Sequence, residues 1–600
     1  MTSSTRSFSR PRLKAGVTTS EERDRAPRAR DHAPYCSVMP GSTRHRGMFS
    51  IWMLATFVAS GLQVSAQTRS MPTPVPRADM TRVPSWATPP KLVVGIVVDQ
   101  MRPDYIYRYW DNFGAGGFKR LIGEGAFLRN THYTYIPTVT GPGHASVYTG
   151  SVPAHHGIVA NERFDRATRK MIYCVKDTTV QGVGSATAQS APSQLLATTL
   201  ADEIERRTDR QGKTIGVALK DRSSVLPIGR TGDAAYWFSG NNFATSTWYM
   251  KELPKWVSEF NARKLPETYI NQTWTPLLPI ERYHQVLPDE NPYEQPLSPG
   301  GKSSFPYDLA ELSKGPAGTG LIASTPWGNT LTTDMALAAL AGEGMGMDNV
   351  TDLLAISYSS TDILGHKMGP RALEIEDMYI RLDQELARLL AELDKSVGAG
   401  KYTLFLTADH GVIDVPQYLK DLKGSAGYMD PRAMQQRLNS AFSENTEERK
   451  LRVDTVLDGH VYFMDTPREG MLARVVEEIS TMPEVSMVMT AHTARRNTAA
   501  GEQTLLSNGF MPQRCGDILY TLKPGYFEAE GTYAGKGTTH GSGWTYDTHV
   551  PVLLFGRGIV HGEVVRRTAV ADIVPTVCMI VGCALPDAAV GEPVQEVLAK

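Results

Sequence analysis

The sequence predicts an α/β fold, a layered sheet with helices on both faces, from three observations: apolar runs that end in polar residues, an amphipathic helix between two of them, and a composition suited to a packed core. Lys91-Leu-Val-Val-Gly-Ile-Val-Val-Asp99 is a β-branched run closing on a carboxylate. That is the pattern of a parallel strand buried on both faces. Leu353-Leu-Ala-Ile-Ser-Tyr-Ser-Ser runs into Thr361-Asp362, and Tyr402-Thr-Leu-Phe-Leu-Thr into Ala408-Asp409-His410. Val550-Pro-Val-Leu-Leu-Phe-Gly is a fourth strand of this kind. Between the second and third, Ile375, Met378, Tyr379, Leu382, Leu386, Leu389 and Leu393 recur at three- and four-residue steps, predicting a helix that returns the chain to the sheet. Such folds hold ligands at the carboxyl ends of their strands.

Six hundred residues exceed one usual core, so insertions are expected. The 41% hydrophobic and 21% charged composition is that of an ordinary globular protein. Residues 240–320, rich in Trp, Tyr, Pro and Asn, predict a cap. Residues 425–530 predict a small α+β insertion, with helix-like Met434–Phe442, strand-like His460-Val-Tyr-Phe-Met and helix-like 471–480. The catalytic domain is then residues 91–600, preceded by a Pro-rich linker over 67–90. Residues 48–66 have an apolar stretch after Arg44 and Arg46 and end in Val64-Ser65-Ala66. They read as a signal peptide cleaved near Ala66, with an uncleaved anchor as the alternative. Residues 1–38 read as a disordered extension, and a start at Met39 or Met48 would remove it. Exported, periplasmic or secreted placement follows.

Residues 1–66 hold ten Lys/Arg and four Asp/Glu, so without them 52 basic side chains face 59 acidic ones. A net charge of about −7 gives no footprint for nucleic-acid binding, and no later run is long and apolar enough to span a bilayer. Cys174, Cys515, Cys578 and Cys583 form no zinc-type cluster. They suffice for one or two disulfides in an oxidising compartment, with no pairing set by the sequence. The oligomeric state is left open.

Asp362-Ile-Leu-Gly-His366 places a carboxylate and an imidazole four residues apart, on one face of a helix. Asp409-His410 follows one strand, Asp99 ends another, and His540 precedes the fourth in Thr538-Thr-His-Gly. Six N/O ligands from four strand ends divide into three and three. Three protein ligands and an open position make a catalytic zinc, and two such sites about 4 Å apart clamp both sides of a phosphoryl displacement. Pro137-Thr-Val-Thr140-Gly-Pro-Gly-His144 puts a hydroxyl at a helix start, where backbone N–H groups favour an anionic phosphoryl group. An N-capping role is the alternative for that threonine.

These residues, with His156-Gly-Ile-Val-Ala-Asn161, Thr361-Asp-Ile-Leu-Gly-His, Thr407-Ala-Asp-His-Gly411 and Thr539-His-Gly, resemble the alkaline phosphatase superfamily. Within it they resemble the type I phosphodiesterase/nucleotide pyrophosphatase-like branch with threonine nucleophiles, over residues 91–560. The resemblance implies an alkaline-phosphatase-like fold and two Zn2+ ions. Asp99, Asp409 and His410, with Thr140 itself, would hold the ion that activates Thr140, and Asp362, His366 and His540 the ion at the leaving oxygen. Asn161 would contact a non-bridging phosphoryl oxygen. Thr138 is the rival nucleophile and His549, in Asp547-Thr-His-Val-Pro, the rival last ligand. His144 and His156 match structural positions.

Leu219-Lys220-Asp-Arg222 resembles the Lys-x-Arg block of the monoesterase-type bacterial alkaline phosphatases, and sulfatase-type C/S-x-P-x-R blocks do not occur. On an extended segment Lys220 and Arg222 would reach one phosphoryl group from one face. Two cations favour a monoester dianion over a diester monoanion. The function expected is hydrolysis of small-molecule phosphate monoesters through a phosphothreonine. The alternatives are a phosphodiesterase or nucleotide pyrophosphatase on the same scaffold and, in another class, a non-catalytic exported zinc- or phosphate-binding protein.

Overall fold

The computed structural model describes residues 88–442, 452–465, 469–496, 500–529 and 535–599. The extension, the expected signal segment 48–66 and most of the 67–90 linker lie outside the described residues.

Four strands form the heart of an 11-stranded sheet: β1 (Leu92–Val98), β4 (Thr214–Ala218), β7 (Asp352–Tyr358) and β8 (Tyr402–Thr407). They run parallel, β1 pairing with both β7 and β8, and β7 with β4. The other strands are β2 (Ala126–His132), β3 (Gly182–Val183), β5 (Ala234–Ser239), β6 (Asn242–Ser246), β13 (His549–Gly556) and β14 (Gly562–Val564). The order is β14-β2-β13-β8-β1-β7-β4-β5-β6-β3, with Thr568–Ala569 beside β2. Every residue of β1, β7 and β8 is buried, as strands covered on both faces require.

The fourth expected strand, β13, departs from the parallel reading. It lies antiparallel to both β8 and β2. Its composition reports burial on two faces, and burial carries no information on direction.

Helices α1 (Thr140–Thr149), α2 (Asp221–Ile228), α3 (Pro326–Gly342), α4 (Ser360–Met368) and α5 (Leu373–Leu393) connect and cover the strands. All seven apolar residues of the expected α5 stripe are buried. Two further groups of elements stand apart from the central sheet. Between β6 and α3, short helices (Lys255–Ala262, Leu265–Ile270) lie against α3, and a two-stranded ribbon (Thr273–Trp274 with Tyr307–Asp308) is bonded to α5. Farther on, β9 (Val453–Leu457), β10 (His460–Phe463), β11 (Val485–Thr490) and β12 (Ile518–Leu522) form a second sheet. Its helices, Pro431–Ala441 and Glu469–Ser480, close a separate apolar cluster around Leu438, Val475 and Ile479. Cys174, Cys515, Cys578 and Cys583 are free thiols. Among the described residues no helix is long and apolar enough to cross a membrane.

The segment before α3 is tied to α5 through buried carboxylates. Trp274 Nε1 and Tyr283 Oη donate to Asp377 (both 2.7 Å), and Tyr307 Oη donates to Glu374 Oε1 (2.5 Å). Glu374 and Glu294 each keep a buried Oε2 with no hydrogen-bond partner. Burial, and for Glu294 the neighbouring Glu374 charge, pushes these carboxyls up, Glu294 to about 9 and Glu374 to about 8. Carboxyls raised in the folded state favour folding below the ordinary carboxylate pKa, and that contribution is lost as pH rises through about 8–9. Glu294→Gln supplies an amide in place of one of the two charges. The drop in Tm between pH 6 and about pH 9.5 is expected to be smaller in this variant than in wild type. Equal drops in thermal melts of the two proteins would refute the pairing.

Candidate metal centre and active site

The register of the parallel strands gathers the chemistry. Val97 pairs with Ser357 and Thr407, and Ser357 with Ala218, so β1, β7, β8 and β4 end together. Asp99, the Thr361–His366 turn of α4, Asp409-His410 and Lys220–Arg222 therefore emerge along one edge. Asp99 is held there by its N–H to Tyr358 O (3.1 Å) and by Thr361 Oγ1 donating to its carbonyl (2.5 Å). A Cβ at Gly143 would lie 2.5 Å from Asp409 O, so glycine is what lets α1 approach the Asp409 turn.

Three imidazoles are oriented alike. His366 Nδ1 lies 2.9 Å from Thr538 O, His410 Nδ1 2.9 Å from Gly411 O, and His540 Nδ1 2.9 Å from Thr138 O. A carbonyl partner requires the proton on Nδ1, which in the neutral ring leaves Nε2 a bare lone pair. Those lone pairs face carboxylates: His366 Nε2 is 3.2 Å and His540 Nε2 3.5 Å from Asp362 Oδ1, and His410 Nε2 is 3.5 Å from Asp99 Oδ1 and Asp409 Oδ2. Neutral imidazoles facing anions in this way repel them unless a proton or a metal ion lies between, and at His366 the Asp362 charge outweighs burial and raises the imidazole, so that a proton can take that place. Asp99 Oδ1, Asp409 Oδ2 and His410 Nε2 are moreover buried without hydrogen-bond partners. Lys220 Nζ, 2.6 Å from Asp99 Oδ2 and 2.5 Å from Asp362 Oδ2, stands in for a bridging cation. The donor set fits metal ions.

The electrostatics agree. Burial, then the Asp362 and Asp409 charges, pushes Asp99 up to about 8, and burial pushes Asp409 up to about 7. Burial would also raise Asp362, yet the charges of protonated His366 and of Lys220 hold it well below the carboxylate range, and Asp362 in turn raises His366. Burial and His540 hold His410 in its neutral, ligating form.

Two triads present donor atoms within 4.8 Å of one another: Asp362, His366 and His540, and Asp99, Asp362 and His410. Asp362 thus belongs to both. The first is the triad expected from the sequence. In the second Asp362 takes the place expected of Asp409, which sits beside His410 and accepts from Gln100 N (3.1 Å). Among the two histidine candidates, His540 stacks on His410 (3.4 Å, 13°), whereas His549 stacks on His132 and meets Arg129 O.

Thr140 is the first residue of α1, and Val139 occupies the N-cap position, so the Thr140 hydroxyl is not a cap. Arg222 Nη2 lies 3.4 Å from Thr140 Oγ1. Thr138, by contrast, donates its hydroxyl to Ser542 O (2.8 Å). Asn161 Oδ1 accepts from Gly141 N (2.7 Å), which leaves its Nδ2 donors for an anion. His144 is fully buried between Thr140 O and Ser357 Oγ (both 2.9 Å), and His156 bonds Ser146 Oγ (3.0 Å).

Lys220 and Arg222 do not share an extended segment. Lys220 is the N-cap of α2 and Arg222 lies in its first turn. The strand ends at Ala218 and the helix begins three residues on, at Asp221, so the two cations approach different parts of the centre. Two positioning residues were invisible in the sequence. Gln100 Nε2 donates to Asp362 Oδ1 (2.7 Å), and Tyr173 Oη accepts from Arg222 Nη1 (3.0 Å) while donating to Asp221 (2.5 Å). Neither sits in a motif; only the fold brings them in.

The family model for type I phosphodiesterase / nucleotide pyrophosphatase matches residues 93–543. A Myroides odoratus protein named calcium-transporting ATPase is 41% identical, the match covering 85% of this chain and 95% of that one. The alkaline phosphatase PafA of Elizabethkingia meningoseptica is 38% identical over 92% of this chain and 99% of its own. The crystal structure of alkaline phosphatase PafA superposes with a TM-score of 0.81 at 39% identity, covering 85% of this chain and 99% of that chain. With that match over most of its length and a metal-ligating edge built from the motifs it covers, the chain belongs to the type I phosphodiesterase / nucleotide pyrophosphatase family.

Proposed function

We propose that this chain is an exported, zinc-dependent alkaline phosphatase that hydrolyses small-molecule phosphate monoesters through a phosphothreonine at Thr140. The carrying observation is that two cations, Lys220 and Arg222, reach the same centre as Thr140 and the carboxylate–imidazole cluster. The likeness to a named alkaline phosphatase supports it. In the same reading residues 1–66 precede the mature chain, residues 67–90 form a linker, and residues 91–600 form the catalytic domain, with insertions at about 240–320 and 425–530.

Two zinc ions, held by Asp99, Asp409 and His410 and by Asp362, His366 and His540, would supply Lewis acidity at the attacking and departing oxygens. Thr140 Oγ1 gives up its proton to solvent and bonds phosphorus as the ester P–O bond breaks, and the departing alkoxide takes up a proton from solvent. Arg222, Lys220 and Asn161 Nδ2 neutralise and orient the remaining phosphoryl oxygens, and water then hydrolyses the phosphothreonine. The test compares initial rates on an aryl phosphate and its diester in one zinc-containing buffer. The monoester should be faster, and a faster diester would put the phosphodiesterase reading first.

Lys220→Ala and Arg222→Ala sharpen the test. Each lost charge-assisted contact should cost about 1.5–3 kcal/mol, roughly one to two powers of ten in monoesterase kcat/KM. Diesterase kcat/KM should fall much less, since a monoanion gains less from each cation. Equal losses on both substrates would remove the pair as the selectivity device.

A further inference from the structure

Beside His366, His540 and Asn161 a cavity of about 240 Å³ opens and extends to the second sheet, where Asp458, Tyr520 and Glu528 line it. Asp458 and Gly459 form the two-residue turn between β9 and β10, with φ of 48° and 75°, the left-handed pair of a type I′ hairpin. Glu528 holds that turn, accepting from Asp458 N (2.9 Å), Gly459 N (2.6 Å) and Tyr520 Oη (2.7 Å). Both of its oxygens are engaged. The Asp458 carboxylate is not: among the described residues it has no side-chain hydrogen bond or ion pair, and the charges facing it, Glu528 and Glu162, are both acidic. Burial and those two charges push its carboxyl up to about 7.

A second carboxylate lies behind the wall of the same cavity, out of contact with its contents, and adds only its negative potential. Asp547 is fully buried and accepts from Ser542 N (2.8 Å) and Ser542 Oγ (2.5 Å) through Oδ2, while its Oδ1 has no partner. No Lys or Arg is among the described residues lining the cavity. A concave wall of one sign with low-dielectric surroundings concentrates the opposite charge. The cavity begins at His366 and His540, the ligands expected to meet the leaving oxygen, so the part of a bound ester beyond that oxygen faces it.

Resting on the monoesterase reading, we propose that this cavity receives the alcohol portion of the ester and that its acidic wall selects leaving groups carrying an ammonium group. Phosphate monoesters of amino alcohols are then the preferred substrate class.

The test compares kcat/KM for phosphocholine and for 3,3-dimethylbutyl phosphate, its uncharged isostere, in zinc-loaded wild type and Asp458→Asn. Asparagine tolerates the left-handed conformation, so the turn is kept while the charge is removed. The two alcohols differ in leaving ability, and that difference cancels in the change of ratio between the proteins. The phosphocholine preference is expected to fall about tenfold in Asp458→Asn, mainly through KM. A ratio unchanged within about twofold overturns the proposal. Titration calorimetry of wild type with choline and with 3,3-dimethylbutanol gives a readout independent of turnover and of the variant's folding. Tighter binding of choline by about tenfold is expected, and no discrimination overturns the pocket assignment. Loss of the monoesterase reading would show separately, as no hydrolysis of an aryl phosphate by wild type.

Discussion

Replacing Thr140 with alanine is expected to lower kcat on an aryl phosphate by at least about a thousandfold, the scale seen when a nucleophile is deleted and the rest of a site survives. Metal content should stay at the wild-type level, because the donor atoms of Asp99, Asp362, His366, Asp409, His410 and His540 come from other elements. Thr140→Ser should keep part of the activity, since α1 begins at this residue and presents either hydroxyl to Arg222. Acid-quenched wild-type enzyme should yield a phosphopeptide containing phosphothreonine at position 140. A phosphate mapped to Thr138 would overturn the assignment and would require that hydroxyl to abandon its bond to Ser542 O.

Removing the metals is the second large effect. Chelation should abolish hydrolysis and zinc should restore it, with metal content measured alongside. His366→Ala deletes one of three donors in the triad with Asp362 and His540. It should weaken metal retention by at least about a hundredfold, beyond the range for losing an outer partner of a ligand, and hydrolysis should fall with it. Elemental analysis supplies a readout besides activity. Exhaustively metal-free protein that retains full activity would sink the two-zinc reading.

Specific residues show how far the sequence was legible. The α5 stripe and the buried runs of β1, β7 and β8 were readable because helix periodicity and two-sided burial leave compositional marks. The antiparallel direction of β13 left none. The four-residue step from Asp362 to His366 could be read locally as one face of a helix, and the structure places both on α4. That Asp362 joins both triads could not be read, since it depends on where β1 and β8 end relative to α4. Lys220 and Arg222 were found by their spacing, but the conformation assumed for them was wrong because a helix start replaces the extended segment.

What the sequence by itself determined is the layered α/β class and the family, and it singled out the candidate site residues, all from local patterns: periodicity, strand-end carboxylates and short motifs. What only the tertiary structure decided is which of those residues meet. His540 rather than His549 joins the cluster, Thr140 meets Arg222 whereas the Thr138 hydroxyl is given to a backbone carbonyl, and Gln100 and Tyr173 brace the site from outside any motif. Asp458 reaches the cavity beside the metal ligands from a hairpin more than 290 residues beyond Asn161 in the chain. The physical reason is common to all of them: a side chain's type is a property of one position. Its neighbours across the sheet edge are set by strand register, strand direction and the packing of inserted elements, which no single segment encodes.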